Sequence, residues 1–308
     1  MTVAAAEDLL NEIAANADAL DRDPAFPHAA FAALRHAGAL VPPPSRAEEW
    51  AFVRAVSEAD GSVGRILEGH YNAYERLTLD QLDPGDRLLG VWGADPVDGT
   101  PAHIDHDRLH GEKVFCSGAG GLDQALVVAR GTLVLVDLEA VEIDKDWYRG
   151  SGMRASESHR VIFYGTPIAA TLRPLTREPF FSRDAVRTAA CWAGILDAAV
   201  EATFQELAAR PELDELRALA AGRIATAQAT IDRWFEYAAE HDDGAIALRE
   251  TVAQAGRTIL DEAARAVGSR PFATGGALDR ARRDFELFVL QHRLDPAVAR
   301  LGRERVQA

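Results

Sequence analysis

A block of short, β-prone segments in the middle of this chain restricts its possible folds more than any other feature. Six apolar runs lie between residues 88 and 172, and turn signals such as Arg130-Gly131 and Gly165-Thr166-Pro167 separate them. The runs read LLGVW, KVFC, ALVVAR, TLVLVDL, RVIFY and IAATL. Strands that are joined by turns pair with antiparallel neighbours, because parallel strands need long crossovers. The block therefore predicts an antiparallel β-barrel or sandwich.

Both flanks of this block have the 3.6-residue apolar period of amphipathic helices. The predicted helices before it span residues 3–20, 28–37, 46–59 and 62–77, and those after it span residues 186–207, 216–239, 245–267 and 278–292. We expect the last helix to stop before Asp295-Pro296, and the four later helices to form a bundle. The sequence thus predicts an α+β protein with an N-terminal helical domain (1–86), a middle β-domain (87–174) and a C-terminal four-helix bundle (175–308).

The charge balance excludes several classes of partner. The formal net charge is −15, which disfavours binding to nucleic acid or to an anionic membrane surface. The only cysteines, Cys116 and Cys191, form no CxxC pair, and the N-terminus lacks a basic start followed by an apolar run. We therefore expect a cytoplasmic protein without a membrane span.

The familiar catalytic and metal-binding motifs are missing from the sequence. HExxH, GxxxxGK[ST], GxSxG and a strand-to-helix GxGxxG do not occur. His103, His106 and His110 lie close together in HIDHDRLH, but aspartates and a predicted hairpin loop surround them. Solvated side chains explain this segment better than a metal site, and we predict none.

The stretch GEKVFCSGAG, residues 111–120, does not read as ordinary core. A strand that begins Lys113-Val114-Phe115 ends in small residues and glycines instead of another apolar pair. Such a bare strand end either packs closely against other protein segments or provides a wall for a flat cofactor. No neighbour in sequence would lower the pKa of Cys116, so we interpret it as a buried filler and not a nucleophile.

Three further stretches, together with this one, resemble the acyl-CoA dehydrogenase superfamily. They are VWGADPVDGTPA (91–102), GMRASESHRVIF (152–163) and RARRDFELFVLQH (280–292). The predicted order of an N-terminal helical domain, a middle β-domain and a C-terminal bundle is also the order in that family. The resemblance implies a bound flavin, FAD or FMN, in contact with two strand ends. The flavin-facing residues that it implies are Trp92, Gly93, Ala94, Phe115, Cys116, Ser117 and Gly118. Ser117 would then hydrogen-bond the flavin ring and is one catalytic candidate.

The chain departs from the dehydrogenases of this superfamily in its catalytic base. The segment LFVLQHRLDPAVARLG lacks their glutamate, and only Asp184 lies near the alternative position of the base. The resemblance to the flavin-dependent monooxygenases of the superfamily is better, because they share a Phe-Cys-Ser-Gly-like strand end and a histidine where this chain has His292. In that family such a histidine stabilises the oxygen adduct of the flavin. His292 is therefore the second catalytic candidate, although a helix C-terminus favours histidine anyway.

The resemblance also implies the partners of the protein. We predict a flavin-dependent oxidoreductase that dehydrogenates or monooxygenates an acyl thioester or another small organic molecule. A flavin reductase or an electron-transfer partner would serve it, and the chain would form a homodimer or homotetramer. Because the family's Arg-x-x-Phe-Gly stretch for the adenosine half of FAD is missing, a flavin-less binding or assembly protein is the alternative.

Overall fold

The structure is a computed structural model and describes residues 3–210, 212–290 and 295–307. Four helices come first, and capping residues position the last two. Ser45 accepts the amide N–H of Glu48, and Asp60 ends one helix and starts the next by accepting the N–H groups of Ser62 and Val63. These helices are α1 (Val3–Arg22), α2 (His28–His36), α3 (Arg46–Ala59) and α4 (Gly61–Leu79).

Seven strands follow within the described ranges and form one sheet. They are β1 (Leu89–Trp92), β2 (His103–Asp105), β3 (Arg108–Cys116), β4 (Gln124–Ala129), β5 (Thr132–Asp137), β6 (Glu142–Asp144) and β7 (His159–Leu172). Their order is β1-β4-β5-β7-β3-β2, and β6 also pairs with β7. The structure contains the predicted strands, but their pairing does not establish that the sheet closes into the predicted barrel.

The prediction of an antiparallel β-domain is wrong for one pair of strands, because β1 and β4 are parallel. The chain returns from β1 to the start of β4 through the β2–β3 hairpin, which takes the place of a crossover helix. The strand starts are joined by two hydrogen bonds: the N–H of Leu88 donates to the carboxylate of Asp123, whose own N–H donates to the carbonyl of Leu88. This clamp places the two strands side by side in the same direction.

A second correction concerns Gly165-Thr166-Pro167, which does not end a strand. β7 runs through it, and the register against β3 shifts by one residue between Tyr164 and Thr166. Gly165, with a φ of +77°, is the extra residue of this bulge. The bulge lets a single strand pair with β5 at one end and with β3 at the other.

Six helices complete the fold: α5 (Phe180–Ala208), α6 (Glu215–Glu240), α7 (Ala245–Val267), α8 (Arg270–Thr274), α9 (Ala277–Leu290) and α10 (Asp295–Gln307). The four long ones, α5, α6, α7 and α9, match the predicted bundle helices. The prediction that the helix over residues 278–292 is the last one is wrong, because α10 begins at Asp295. Proline near the first position is compatible with the start of a helix. None of the described helices combines the length and apolar character needed to cross a bilayer.

One hydrophobic core connects the three parts of the chain. Leu34 of α2, Trp92 and Phe163 of the sheet, and Phe285 of α9 are all buried in the same cluster. The junction between the sheet and the helices is therefore packed, and it also contains the cavity described next.

Candidate functional site

A cavity of about 710 Å³ lies where the ends of β1 and β3 face the helices. Its size is in the range of small-molecule sites. The sheet side contributes Val91, Gly93, Ala94, Asp95 and Phe115, and the helical side contributes Arg65, Glu68, Gly69, Asn72, Leu175, Phe181, Asp184, Ala185, Thr188, Arg249, Leu287 and Leu290. Three of the seven residues predicted to face a flavin, Gly93, Ala94 and Phe115, thus line one cavity.

Lys113 holds the backbone that forms the sheet side of this cavity. Its side chain is fully buried, and Nζ donates to the carbonyl of Gly93 at 3.1 Å and to the carboxylate of Asp95 at 2.6 Å. A buried ammonium group needs such partners, and here they belong to the turn after β1. Lys113 therefore fixes the position of the bare Gly93-Ala94 backbone.

Phe115 has an unusual backbone conformation at the edge of the cavity. Its φ is +54°, and the register between β3 and β7 shifts between Lys113 and Cys116. A positive φ is costly for a bulky residue and persists only where the surroundings impose it. The bulge turns the Phe115 ring out of the core: it is 39% exposed and makes an edge-to-face contact with Trp147, with ring centroids 4.9 Å apart.

The other predicted residues lie behind this wall. Trp92 is buried and donates from its indole nitrogen to the carbonyl of Ser117, and Cys116 is fully buried, where desolvation raises the pKa of its thiol. The Ser117 hydroxyl is 2.9 Å from that of Ser158, and the N–H of Gly118 donates to the carbonyl of Ser156. None of the four lines the cavity. Their assignment to a flavin stays a prediction.

The glycines that follow β3, Gly118 and Gly121, have a packing role in this structure. Gly118 adopts a φ of +78°, and a β-carbon there would come within 2.9 Å of Leu122. A β-carbon on Gly121 would lie 2.4 Å from the Phe26 ring, which packs directly on the backbone. The bare strand end thus makes a tight turn possible and receives an aromatic ring from the N-terminal helical region.

The carboxylates on the helical side are held by cations. Glu68 accepts hydrogen bonds from Arg65 and from the hydroxyl of Thr188. Asp184 accepts from Arg76 through one oxygen and from Arg187 through the other. Burial raises the pKa of Asp184 to about 7, although the guanidinium groups of Arg187 and Arg76 lower it.

Arg249, by contrast, lines the cavity without such a partner. Its Nε and Nη2 atoms are closed off from water and have no hydrogen-bond acceptor among the described residues. The guanidinium carbon lies 5.3 Å from the centre of the Trp192 ring. The Nε of Arg65 and the Oδ1 of Asn72 are likewise buried and unpaired within the described ranges.

The sequence contained one signal for the helical side that our interpretation did not use. Arg65, Glu68 and Asn72 recur at positions i, i+3 and i+7 of α4, a polar stripe on a helix that is otherwise mostly buried. Arg249 had no such signal, since one arginine on an amphipathic helix looks like a solvated side chain. His292, the second catalytic candidate, lies outside the described residues.

A second cavity, of about 890 Å³, lies beside the loop that precedes β7. Its lining includes Phe26, Lys145, Arg149, Arg154 and His159, but none of the residues predicted to face a flavin. Although this cavity is larger, we take the one at the strand ends as the candidate site, because Gly93, Ala94 and Phe115 converge there.

Solved structures with the same arrangement cover nearly the whole chain. TdsC from Paenibacillus sp. A11-2, a dibenzothiophene monooxygenase, in complex with FMN and indole has a TM-score of 0.80 at 18% identity, over 97% of this chain and 95% of that one. Methanesulfinate monooxygenase MsuC from Pseudomonas fluorescens has a TM-score of 0.78 at 19% identity, over 98% and 96%. Nitrososynthase from Micromonospora carbonacea var. africana has a TM-score of 0.79 at 21% identity, over 93% and 90%.

No protein-family model matches the sequence, and no curated protein is similar enough to count as a match. The assignment of the fold therefore rests on the likeness to solved structures. It extends from the first helices through the sheet to the bundle, with TM-scores near 0.8. The chain has the fold of the acyl-CoA dehydrogenase superfamily, which its sequence resembles.

Proposed function

We propose that this protein is a flavin-dependent monooxygenase that binds FMN and a small organic substrate in the cavity between the strand ends and the helices. The observation that carries the proposal is the state of the cavity's carboxylates. Abstraction of a proton from a thioester needs a free base, but Glu68, Asp95 and Asp184 are each already bonded to an arginine or a lysine. A monooxygenase does not need such a base. The neighbour TdsC binds FMN and is a monooxygenase, which supports the choice.

The residues that line the cavity fit a flat ring with polar edges. A β-carbon built on Gly93 would meet no atom closer than Val128 at 4.0 Å, so the bare backbone has open space beside it. The exposed Phe115 ring offers an aromatic contact, and unpaired buried atoms of Arg65 and Asn72 offer a donor and an acceptor. Gly93, Ala94 and Phe115 would hold the ring of a bound flavin. Reduced flavin, when bound, would supply the electrons for activating dioxygen.

The protein's own side chains would position this chemistry. Leu287 and Leu290 of α9 and Phe181 of α5 give the cavity apolar surface on its helical side, which an organic substrate could contact. Lys113 would keep the turn after β1 in place through its bond to Gly93. His292 remains our proposed group for supporting the oxygen reaction, and Ser117 remains our proposed hydrogen-bond partner of the ring.

The visible absorption spectrum of the purified protein tests this proposal. We expect a bound yellow chromophore, released as FMN on denaturation, or binding of added FMN at micromolar concentration. Ser117→Ala should change the spectrum or the affinity for FMN, whereas Ser158→Ala, which removes a hydroxyl bonded to Ser117 and Ser156, should do so less. His292→Ala should change the rate at which reduced FMN on the protein reacts with oxygen. The absence of binding by FMN, FAD and both reduced forms would instead favour the flavin-less binding protein.

Thioester dehydrogenation is the second candidate, favoured only by the position and raised pKa of Asp184. An acyl-CoA added without oxygen would bleach the bound flavin in that case, and Asp184→Asn would abolish the bleaching. A monooxygenase would show no bleaching by acyl-CoA and would need a separate reductase to reduce its flavin.

We also propose a homo-oligomer and a cytoplasmic location. Leu216 and Leu219 lie one turn apart on α6 and are 79% and 50% exposed, a pair of large apolar side chains that a second copy of the chain could cover. Light scattering of the purified protein measures the oligomeric state. A monomer at micromolar concentration would contradict the first proposal.

A further inference from the structure

Arg249 differs from the other arginines at the helical side of the cavity. Arg65 is paired with Glu68, Arg76 with Asp184, and Arg187 with Glu49, Glu75 and Asp184. Arg249 forms no ion pair with a carboxylate of the described residues, and its buried Nε and Nη2 atoms donate to no acceptor among them. The cavity therefore contains one positive charge that the described protein does not neutralise.

Such a charge is unfavourable in the protein alone. Burial removes water from the Nε and Nη2 atoms of the guanidinium group, and without an anionic partner this loss is not recovered. The desolvation lowers the pKa of Arg249 to about 10, with the more distant Glu68 opposing the shift, so the group is still protonated at neutral pH. Its contact with the Trp192 ring compensates only in part, because cation–π attraction is weaker than a bidentate ion pair.

The shape of the guanidinium group indicates what would compensate it. Arginine offers planar, paired N–H donors, which match the two oxygens of a carboxylate, sulfonate or phosphate. Arg249 lines the same cavity as the Phe115 ring, which lies on the sheet side. Asn72 adds an unpaired oxygen on the helical side, which needs a hydrogen-bond donor. A ligand with a flat apolar body, one anionic group and one N–H or O–H donor would satisfy these groups.

We propose that Arg249 binds an anionic group of the small molecule held in this cavity. The anion is a carboxylate, sulfonate or phosphate, and it belongs either to the substrate or to the flavin as its phosphate. The proposal rests on the proposed function in taking this cavity as the site. The unpaired charge of Arg249 does not depend on which ligand the cavity binds.

Two matched pairs of probes test the proposal by isothermal titration calorimetry. FMN and riboflavin differ only in the phosphate, and benzoate and benzamide differ in charge on a similar ring. Benzoate and benzamide are titrated into both the flavin-free and the FMN-saturated protein. The variants are Arg249→Leu and Arg249→Lys, with Arg257→Leu as the control, because Arg257 is an exposed arginine on the same helix. Thermal unfolding in the absence of probes checks that each variant is folded.

We expect Arg249→Leu to weaken binding of one anionic probe about tenfold or more, as loss of a charge-assisted bidentate contact does, and to leave its neutral counterpart within about twofold. If Arg249→Leu weakens the binding of FMN alone, the anion is the flavin phosphate. If it weakens the binding of benzoate alone, the anion belongs to the substrate. Arg249→Lys should fall between wild type and Arg249→Leu, and Arg257→Leu should match wild type. Arg249→Leu should also be at least as stable as wild type without ligand, because it removes an uncompensated charge.

Equal responses of wild type and Arg249→Leu to all four probes, including no response at all, would overturn the proposal. A clear loss of stability in ligand-free Arg249→Leu would also overturn it, because a purely structural arginine predicts that loss. Failure of the proposed function is separate: neither FMN nor riboflavin would bind wild type, while the benzoate titration would still decide the role of Arg249.

Discussion

Single residues determine the geometry of the candidate site, and Lys113 is the clearest case. Its side chain joins the middle of β3 to the turn after β1 through hydrogen bonds to Gly93 and Asp95. Both atoms that it bonds belong to the wall that would face the ligand. We therefore regard Lys113 as a positioning residue.

Lys113→Met should destabilise the protein and loosen this wall. The substitution removes the buried hydrogen-bond donor of the Gly93 carbonyl. We expect the unfolding free energy, measured by urea denaturation, to fall by about 1–3 kcal/mol. Lys145→Met is the matched control, since the same substitution there removes an ammonium group that is 64% exposed and lies 3.9 Å from its partner Glu157. Its cost should be smaller, at most about 1 kcal/mol. Equal costs for the two variants would show that the buried bonds of Lys113 do not matter.

At the scale of elements, His70 joins the first helices to the sheet. Its ring lies on α4; Nε2 bonds the carbonyl of Leu40, after α2, and Nδ1 accepts the N–H of Leu89 at the start of β1. These two bonds require the neutral ring with its hydrogen on Nε2, because a protonated Nδ1 could not accept. Burial accordingly lowers the pKa of His70 to about 4.

This shift predicts a loss of stability in acid. Between pH 6.5 and about 4 the unfolded chain takes up a proton at this histidine while the folded protein does not, so falling pH favours unfolding. The contribution of His70 to this loss is about 3 kcal/mol over the whole window. His70→Gln keeps one donor and one acceptor and does not titrate there, so its unfolding free energy should fall less steeply over that window. Parallel curves for the two proteins would contradict the assignment.

The packing of α5 on α3 depends on a glycine, Gly194, which lets the two helices approach closely. A β-carbon on Gly194 would lie 2.0 Å from the carbonyl oxygen of Arg54, which is backbone and cannot move aside. α5 carries Asp184 and Thr188 into the cavity, so its distance from α3 also determines where these side chains lie.

Gly194→Ala should destabilise the protein by about 1–3 kcal/mol or more, as overpacking in a core does. Gly222→Ala on α6 is the matched control, since nothing lies within 4 Å of a β-carbon there. That change should be stabilising by about 0.5–1 kcal/mol, because alanine is the better helix former. Urea denaturation of both variants measures the difference, and a neutral Gly194→Ala would show that the helices can separate at little cost.

At the scale of the whole molecule, the three parts share one core. The buried cluster contains residues of α1 to α4, of the sheet and of α5, α7 and α9. The predicted domain boundaries near residues 86 and 174 therefore fall between segments that pack on each other, and these boundaries stay a prediction.

Unfolding should accordingly be a single cooperative transition. Separating any part would expose apolar surface on the other two, so intermediates should be rare. Differential scanning calorimetry at fixed protein concentration should give one peak whose calorimetric and van't Hoff enthalpies agree. Two resolved peaks, one of them belonging to the β-block, would instead show that the parts fold independently.

The sequence predicted most of the elements because their signals are local. The apolar period of the helices predicted α3 with its bounds as observed, and the runs around Val91 and Leu135 correspond to β1 and β5. The strand ends at Gly93-Ala94 and Phe115 were also recognisable, because small residues after a strand stand out against an apolar background. Local patterns fail where a glycine has two meanings: Gly165 reads as a turn but forms a bulge inside β7.

By itself, then, the sequence determined the order of helices, strands and bundle, and the superfamily whose fold the chain shares. Only the tertiary structure decided that β1 runs parallel to β4, that the Ser117 hydroxyl meets Ser158, and that Arg249 lines the cavity with no carboxylate of the described residues paired to it. The physical reason is that strand pairing and charge compensation depend on distances between segments far apart in the chain. Arg187 and Arg249 look alike on their helices, but Arg187 pairs with Glu49 of α3 and Glu75 of α4, which only the folded chain brings to it.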